Sequence, residues 1–372
     1  MRWDAQRLDL DEPGALPGLP SIRGLLRSVQ VPEFPGLTFH EVRSKSALNR
    51  VPGESAMPFP WTINPYRGCS HSCMYCFARR THEWLEFDAG RDFDTQVVVK
   101  TNLVDVLRRE LARPSWRREH VALGTNTDPY QRAEGRYRLM PGVIRALAGA
   151  GTPFSVLTKG TLLRRDVPLL AEASRQVPVG LGISMAIWDE DLHAGLEPGV
   201  PTPRARLDLV RALADAGLPC GVFLAPVLPG LTDSAEHLDA ALGAIAAAGA
   251  TGVTVIPLHL RPGAREWFMA WLAGARPDLM PRYERLYARR AYVPAEYRRW
   301  LAQQVAPLLS RHGFDRQPGG AARHGPVADG VQGDDEVGFP AGSLPSGGLP
   351  GAAGAAAAGE RSAGPGEQLT LL

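Results

Sequence analysis

Cysteine and lysine are scarce in this chain. Only four of its 372 residues are cysteine, and three of the four fall within eight residues, where disulfide geometry is poor. A disulfide framework is therefore excluded as the source of stability. Lysine supplies only three of the 41 basic residues, Lys45, Lys100 and Lys159, so each ammonium group is a candidate for a role that arginine cannot fill.

Long apolar runs and a large net charge are also missing. No run reaches the length of a membrane-spanning helix, and the first residues lack the apolar core of a signal peptide, so we expect a cytoplasmic protein without a membrane partner. The net charge of +2 neither favours nor excludes nucleic acid as a partner. The length suits two ordinary domains or one large α/β barrel.

The three clustered cysteines form a C-x3-C-x2-C motif of Cys69, Cys73 and Cys76. Thiolates are soft ligands that select zinc, copper(I) or iron–sulfur clusters. A 4Fe–4S cluster needs four ligands and the motif supplies three, which leaves one iron for a ligand that is not protein. The alternative is a structural zinc site with His71 or His82 as the fourth ligand, although such sites usually carry paired C-x2-C units and no second pair is present.

Strands alternate with helices from about residue 60 onwards. About six short apolar runs are each followed by a helical stretch, a pattern typical of βαβ units and a parallel sheet. The predicted strands are Trp61–Asn64, Val121–Leu123, Phe154–Leu157, Val179–Ala186, Gly221–Leu224 and Val253–Ile256. We expect an α/β fold, a partial (β/α)6 barrel that binds ligands at the C-terminal ends of its strands. Asn102 and Asp233 are predicted to cap the helices that follow them.

Composition divides the chain into four parts. Residues 1–55 are punctuated by proline and glycine and are predicted to be an extension that wraps the core, with a short strand at Thr38–Val42. Residues 56–260 form the barrel core. Residues 261–318 are predicted to be a helical cap whose aromatic residues either fill its core side or form a lid or a basic face for nucleic acid.

The fourth part, residues 319–372, contains 14 glycines, 11 alanines and one aromatic residue, Phe339. Such a segment buries too little apolar surface to offset its ordering entropy, so we predict a disordered tail. Its end, Gln368–Leu372, resembles the short peptide by which bacterial DNA repair and replication proteins bind the sliding clamp. Apolar residues at the end of a disordered tail are a known form of peptide anchor, and a chance match is the alternative.

The cysteine motif and five later loops together resemble the radical S-adenosylmethionine (SAM) superfamily, and within it the spore-photoproduct-lyase-like branch. The resemblance covers about residues 58–260, and its loops are Gly124–Gln131, Leu157–Gly160, Ile183–Met185, Glu197–Arg204 and Ala225–Asp233. It implies a partial barrel, a 4Fe–4S cluster whose fourth iron SAM chelates, and an electron donor such as flavodoxin or ferredoxin. It also implies that SAM is cleaved to a 5′-deoxyadenosyl radical that abstracts hydrogen from a substrate.

The resemblance further implies roles for single residues. Cys69, Cys73 and Cys76 would hold the cluster. Five others would bind SAM: Tyr75 flanks the adenine, Thr127 lies near SAM, Lys159 pairs with the SAM carboxylate, Ser184 hydrogen-bonds the ribose or the amino acid moiety, and Ala225 offers its backbone to the adenosine. From the residues alone, Thr127 is equally a turn residue, Lys159 a solvated strand end and Ser184 a core hydroxyl.

One departure from the branch bears on the reaction. Its DNA lyase uses a cysteine thiol as hydrogen donor, whereas this chain has no cysteine between Cys76 and Cys220; Tyr130 or Tyr137 is the alternative donor. We therefore expect a radical SAM enzyme with an unknown substrate, nucleic acid being the leading class for repair or modification. The alternative function is a sliding-clamp-binding protein of DNA repair in which the cluster is structural or redox-sensing.

Overall fold

The structure, a computed structural model, describes residues 22, 24–52, 57–288, 290–314 and 339–345. These ranges contain eleven strands: β1 Leu25–Gln30, β2 Thr38–Val42, β3 Leu48–Arg50, β4 Trp61–Ile63, β5 Tyr66–Arg67, β6 Gln96–Lys100, β7 Val121–Leu123, β8 Phe154–Thr158, β9 Val179–Ser184, β10 Gly221–Val227 and β11 Gly252–Pro257. They also contain eleven α-helices: α1 Arg91–Thr95, α2 Leu103–Leu111, α3 Arg132–Tyr137, α4 Leu139–Gly149, α5 Val167–Ser174, α6 Glu190–Leu196, α7 Pro203–Asp215, α8 Ala235–Ala247, α9 Ala264–Ala275, α10 Met280–Leu286 and α11 Ala295–Arg311.

A seven-stranded sheet in the order β11-β10-β9-β8-β7-β4-β3 is the centre of the molecule. Six of its strands run parallel, and β3 joins the edge antiparallel to β4. Helices connect the parallel strands, because parallel pairing requires a crossover connection. The predicted mixed α/β fold with six parallel strands is confirmed, and the sheet stays open between β11 and β3 in the described ranges.

The strands are buried because they are short apolar runs with helices packed against one face. Val121, Val156, Ile183 and Val222 are all fully or almost fully buried in one large core cluster. The carboxyl ends of the six parallel strands meet at one edge, which we call the mouth of the sheet. Loops that follow the strands therefore lie next to one another there.

The N-terminal extension contributes strands rather than only wrapping the core. In the smaller sheet, ordered β1-β2-β6-β5, β2 pairs parallel to β6 and antiparallel to β1. The predicted strand Thr38–Val42 is confirmed as β2. Because β3 pairs with β4, the extension also completes one edge of the main sheet. Residues 1–21, 23 and 53–56 lie outside the described ranges.

Asn102 occupies the N-cap position of α2 as predicted, but its side chain makes no capping hydrogen bond. The predicted cap of α8 by Asp233 is wrong, and both side chains have tertiary partners instead. The side-chain oxygen of Asn102 accepts the N–H of Ser44 at 2.8 Å, and its amide donates to the Ser44 carbonyl. Helix α8 is instead capped by Ser234. Asp233 is buried and accepts the hydroxyl of Tyr297 at 2.9 Å, which ties α11 to the loop after β10. A capping pattern does not reveal such distant partners.

The cap after β11 consists of α9, α10 and α11, and most of its aromatic side chains fill the core. Phe268, Tyr283 and Tyr287 are fully buried, and the Tyr287 hydroxyl donates to the carbonyl of Leu258 at 2.7 Å. Trp300 is the main exception, with 39% of its surface exposed. No helix in the described part of the chain is both long enough and apolar enough to cross a membrane.

Residues 339–345, which composition assigned to a disordered tail, are packed against the main sheet. We call them the floor segment, because they lie at the N-terminal ends of β9, β10 and β11, opposite the mouth. The Phe339 ring meets Phe59 and Phe223 edge-on. The prediction of disorder is therefore wrong for these seven residues; residues 315–338 and 346–372, including Gln368–Leu372, lie outside the described ranges.

Candidate active site

The three clustered cysteines lie in one loop at the mouth, residues 68–77, which we call the cysteine loop. It connects β5 with the 3₁₀ helix Arg79–Leu85. Cys69 and Cys73 are buried, Cys76 is half-buried, and all three thiols are free of disulfides. The loop folds back on itself through short turns, in which the N–H of Cys76 donates to the carbonyl of Cys73 at 3.2 Å. One short loop thus supplies all three sulfur atoms.

Side chains from the loop after β7 hold the start of the cysteine loop. The Thr127 hydroxyl donates to the Gly68 carbonyl at 2.7 Å, and the Gln131 amide donates to the same carbonyl at 2.9 Å. The Gln131 oxygen accepts the N–H of Ser70. Gly68 has φ = +75°, and an added Cβ would lie 2.8 Å from the Gln96 carbonyl oxygen, so this turn requires glycine. These bonds fix where Cys69 begins.

A buried arginine holds the other end of the loop. The Arg79 guanidinium donates to the Cys73 carbonyl at 2.9 Å and to both carboxylate oxygens of Asp94. Its carbon also lies 4.8 Å from the centre of the Trp267 ring and 5.3 Å from that of Phe93. Arginine suits this position because its planar group satisfies several acceptors and stacks on aromatic rings at once.

His71 and Asp128 form a buried pair between the cysteine loop and the loop after β7. The His71 Nδ1 atom lies 3.3 Å from a carboxylate oxygen of Asp128. Burial alone would lower the pKa of His71, but the charges of Asp128 and Cys69 raise that pKa to about 10. Asp128 also accepts the backbone N–H of Lys159 at 2.7 Å, so it links the ends of β7 and β8.

A second group of side chains meets beside the cysteine loop, at the ends of β8, β9 and β10. The Lys159 ammonium donates to the Ser184 hydroxyl at 2.6 Å, and that hydroxyl lies 3.4 Å from the Ala225 carbonyl oxygen. The same ammonium lies 5.5 Å from the centre of the Tyr75 ring. Four residues that the sequence singled out therefore come together at the mouth.

Glu197 is the centre of this group, although no role was predicted for it. Its side chain is fully buried and accepts the Tyr75 hydroxyl, the Lys159 ammonium at 3.2 Å and the Arg206 guanidinium at 2.7 Å. Arg206, on α7, also donates to the Ser184 carbonyl at 2.8 Å. Burial opposes ionisation of Glu197, but Arg206 and Lys159 lower its pKa to about 2, so the carboxylate stays charged.

Thr127 is the exception among the predicted site residues. It is buried, and the hydrogen bonds of its hydroxyl run to Gly68 and Gln131 rather than to the Lys159 group. The alternative hydrogen donors are also engaged elsewhere: the Tyr130 hydroxyl donates to Asp166 at 3.1 Å and the Tyr137 hydroxyl to Glu41 at 3.0 Å.

Sequence reasoning missed Glu197, Arg206 and Gln131, and took Asp128 for a turn residue. Two signals were present: Glu197 opens one of the resembling loops, and Asp128 and Gln131 lie in another. Charged residues in loops that follow parallel strands converge at the mouth. Reading the resembling loops in full, rather than single positions in them, would have included Glu197, Asp128 and Gln131. Arg206 lies on α7, outside these loops.

The comparisons with known proteins agree with this geometry. A model of the radical SAM superfamily matches residues 63–241, which run from the end of β4 into α8. The chain belongs to the radical SAM superfamily. A protein of Mycobacterium tuberculosis described as uncharacterised is 63% identical over 316 residues, which cover 84% of this chain and 93% of that relative. A Methanocaldococcus jannaschii protein with the same description is 27% identical over 195 residues, 52% of this chain and 69% of the relative.

Among solved structures, spore photoproduct lyase has a similar fold. A variant of that enzyme with bound AdoMet and dinucleoside spore photoproduct matches with a TM-score of 0.56 and 15% identity, over 73% of this chain and 78% of the other. A complex of the lyase with the dinucleoside matches equally well, with a TM-score of 0.56. Radical SAM proteins are enzymes that use a 4Fe–4S cluster, SAM and an electron donor, and this chain is such an enzyme.

The cysteine loop fits an iron–sulfur cluster better than a zinc ion. Among the described residues, no three His, Cys, Asp or Glu side chains are arranged to hold one metal ion, as a structural zinc site requires. The Nε2 atom of His82 is already 2.8 Å from the Gln96 carbonyl oxygen. Burial raises the pKa of Cys73 well above its ordinary value and that of Cys76 to about 11, so both thiols need a bound metal to ionise at neutral pH.

An aromatic surface borders the cysteine loop on the side of β11. Phe77, directly after Cys76, is 41% exposed and lies 5.7 Å from His259, ring centre to ring centre. His259 stacks on Tyr292 at 5.6 Å, and the Arg261 guanidinium carbon lies 5.9 Å from the Phe77 ring centre. We call these four residues the aromatic surface. It offers flat rings and one positive charge beside the cysteines.

Proposed function

We propose that Cys69, Cys73 and Cys76 hold a 4Fe–4S cluster and that the group around Lys159 binds the SAM that completes it. The observation that carries the proposal is the juxtaposition of three free thiols in one loop with a buried, charged group at the ends of the next strands. Thiolates are good ligands for iron. An ammonium beside a hydroxyl can bind the carboxylate at the amino acid end of SAM.

Each polar residue of the group has a proposed task toward SAM. Lys159 would pair with the SAM carboxylate, Ser184 would hydrogen-bond the ribose or the amino acid moiety, and the Ala225 backbone would contact the adenosine. Tyr75, held through its hydroxyl by Glu197, presents its ring for the adenine. Thr127 stays a proposed neighbour of SAM, although its observed bond to Gly68 favours support of the cysteine loop.

When bound and reduced by one electron, the cluster supplies the means to break a carbon–sulfur bond of SAM, giving methionine and a 5′-deoxyadenosyl radical. The chain's own residues orient and enclose the reactants. Glu197 keeps Lys159 and Tyr75 in fixed positions, and Arg79 and Gln131 fix the two halves of the cysteine loop. Such fixed positioning is how proteins direct cofactor chemistry.

The test is anaerobic reconstitution with iron and sulfide, followed by dithionite and SAM, with 5′-deoxyadenosine read by mass spectrometry. We expect the product from the parent chain and none from Cys73→Ala. Cys220→Ala is the matched control, because this fourth cysteine is buried at the start of β10, far along the strand from the mouth. Turnover by Cys73→Ala equal to the parent would refute the assignment.

Nucleic acid is the substrate class that we propose, for repair or modification. The supporting observation is the aromatic surface, in which the exposed Phe77 ring lies beside Arg261, since an exposed ring with an arginine can bind unpaired bases by stacking. Spore photoproduct lyase, which shares the fold, is seen with a dinucleoside bound. The absence of a cysteine between Cys76 and Cys220 supports a reaction different from that lyase's.

A binding experiment tests the substrate class. We expect Phe77→Ala to weaken binding of a fluorescent single-stranded DNA by about tenfold, the loss of roughly one stacked base. Trp300→Ala is the control, because Trp300 is equally exposed but lies on α11. Equal affinities of the parent and both variants would count against nucleic acid at this surface.

A second candidate function rests on Gln368–Leu372, which we propose as a peptide for a bacterial sliding clamp. Removal of Leu371 and Leu372 should abolish binding to the purified clamp without changing 5′-deoxyadenosine formation. If the chain takes up four irons and binds the clamp but never cleaves SAM, the cluster is structural or redox-sensing. The cytoplasm suits either function, because a reducing compartment keeps the thiols free.

A further inference from the structure

The inner face of the main sheet lacks side chains at its lower end, away from the mouth. Side chains alternate along a strand, so Gly180 and Gly182 share the inner face of β9 with Ser184. On β10 the same face carries Gly221, Phe223 and Ala225, and β11 begins with Gly252. Barrels of this kind normally fill their interior with layers of branched side chains. Here three neighbouring strands have glycine in the lowest layer and so contribute no side chains to it.

The floor segment occupies the volume that these glycines leave. A Cβ added to Gly180 would lie 2.5 Å from the Ser343 carbonyl oxygen. One added to Gly221 would lie 2.8 Å from the Ala341 oxygen, and one added to Gly252 would lie 2.6 Å from the Ala341 nitrogen. Real Cβ atoms do not approach backbone atoms so closely, so each of these positions must be glycine while the segment is in place.

Polar contacts hold the segment in one register. The N–H of Leu181 donates to the Gly342 carbonyl at 2.7 Å, and the Thr251 hydroxyl donates to the Ala341 carbonyl at 2.6 Å. Ser343 is buried, and its hydroxyl donates to the Pro340 carbonyl at 2.7 Å, which closes a turn within the segment. Buried backbone groups of sheet and segment therefore satisfy each other.

The segment also spans the interior from one side of the sheet to the other. The Phe339 ring centre lies 6.2 Å from that of Phe59, just before β4, and 5.6 Å from that of Phe223 on β10. Phe223 is paired in register with Ser184, one residue of the Lys159 group. The Phe223 ring thus separates the floor segment from the polar group at the mouth.

We propose that the lower interior of the sheet is a peptide-binding groove and that residues 339–345 are its built-in ligand. The segment supplies the core layer that the strands omit and closes the site from below against water. The statement that the space above the segment binds SAM rests on the proposed function, whereas the proposal of a peptide-binding groove does not. The segment is covalently joined to the rest of the chain, so its docking is intramolecular and a modest intrinsic affinity keeps the groove filled.

Hydrogen–deuterium exchange on the full chain without iron or SAM tests the proposal, because its result does not depend on radical chemistry. We expect Phe339→Ala to speed exchange of the Leu181 amide and of the amides of residues 341–344 by about tenfold or more. A free peptide, Phe-Pro-Ala-Gly-Ser-Leu-Pro, added in excess should restore the slow exchange at Leu181. A peptide of the same composition in scrambled order should not.

Two further variants separate the groove from general loss of stability. Gly221→Val fills the groove itself, so it should speed exchange at the same amides, and the free peptide should fail to restore it. Gly274→Ala, on α9 with no atom within 4 Å of the added methyl group, should leave exchange unchanged. Exchange that is unaltered in Phe339→Ala, or restored equally by the scrambled peptide, would overturn the proposal.

Discussion

Lys159 has more partners in the site than any other residue that the sequence singled out. Its ammonium contacts a hydroxyl, a carboxylate and the face of a ring, and its backbone N–H is bound by Asp128. The scarcity of lysine pointed to this residue, and its position after β8 pointed to the mouth. The partner Glu197 follows α6 rather than a strand, so the strand pattern did not point to it; only its place at the start of one of the resembling loops did.

Substitution of Lys159 tests its proposed pairing with the SAM carboxylate. Removal of a charged hydrogen-bond donor costs about 1.5–3 kcal/mol, so we expect Lys159→Ala to raise the Kd for SAM by about 10- to 100-fold. Calorimetry on the reconstituted protein under argon measures this. Lys45→Ala, at an exposed position, is the control and should leave the Kd unchanged. A Kd that stays at the parent value in Lys159→Ala would remove this residue from the SAM site.

Substitution of Arg79 tests how much the buried ion pair beside the cysteine loop contributes to stability. Arg79→Met leaves the Asp94 carboxylate buried without its partner, and breaking a buried pair costs about 3–5 kcal/mol. Burial already raises the pKa of Asp94 to about 6 despite Arg79. We expect chemical denaturation to show this loss, and the double variant with Asp94→Asn to recover part of it.

The neighbouring Arg80 provides the matched control for that experiment. Its side chain is 45% exposed and pairs with the exposed Glu83. Surface pairs of this kind contribute about 0–1 kcal/mol, so Arg80→Met should change stability little. Equal losses in the two variants would mean that the guanidinium of Arg79 has no special role.

At the scale of elements, the connections between strand and helix carry the site. The alternation of apolar runs and helical stretches predicted all six parallel strands, because that pattern is local and each strand is buried. The packing of residues 339–345 was not predictable, since a glycine-rich composition indicates disorder unless the receiving surface is known. The side chains of Asn102 and Asp233 make no capping bond for the same reason: their hydrogen-bond partners are distant in sequence.

The turn after β7 shows how strictly an element can depend on one glycine. Gly124 has φ = +95°, and an added Cβ would lie 1.9 Å from the Leu157 carbonyl oxygen on β8. We expect Gly124→Ala to lower the unfolding free energy by about 2–4 kcal/mol, because both the backbone strain and the clash must be relieved. Thermal unfolding measures this, with Gly149→Ala, where no atom lies within 4 Å, as the control. Similar melting temperatures for both variants would contradict this geometry.

At the scale of the whole molecule, the N-terminal extension contributes strands to both sheets. Lys100 lies at the end of β6, a strand of the smaller sheet. The residue is buried, and burial together with the charge of Arg67 lowers its pKa to about 7 despite Glu110. The unfolded lysine keeps its proton up to about pH 10.5. Between these values the unfolded chain binds more protons, so this group makes stability rise with pH.

Lys100→Met should remove that dependence. The slope from one such group is at most about 1.4 kcal/mol per pH unit, so we expect the variant to be more stable than the parent near pH 7 and the difference to shrink towards pH 9. Urea denaturation of both chains at several pH values gives the difference directly. A difference that is constant across this range would show that Lys100 does not titrate there.

The contact between the floor segment and the three glycines constrains how the sequence can change during evolution. A chain that lost residues 339–345 would keep an unfilled space, and branched side chains at positions 180, 221 and 252 would then repair it. A chain that keeps the segment cannot accept those side chains. Across lineages, the three glycines and the motif around Phe339 should therefore be gained or lost together, even though more than 80 residues separate Gly252 from Phe339. The Mycobacterium tuberculosis relative, 63% identical, is a first sequence in which to look for this joint presence or absence.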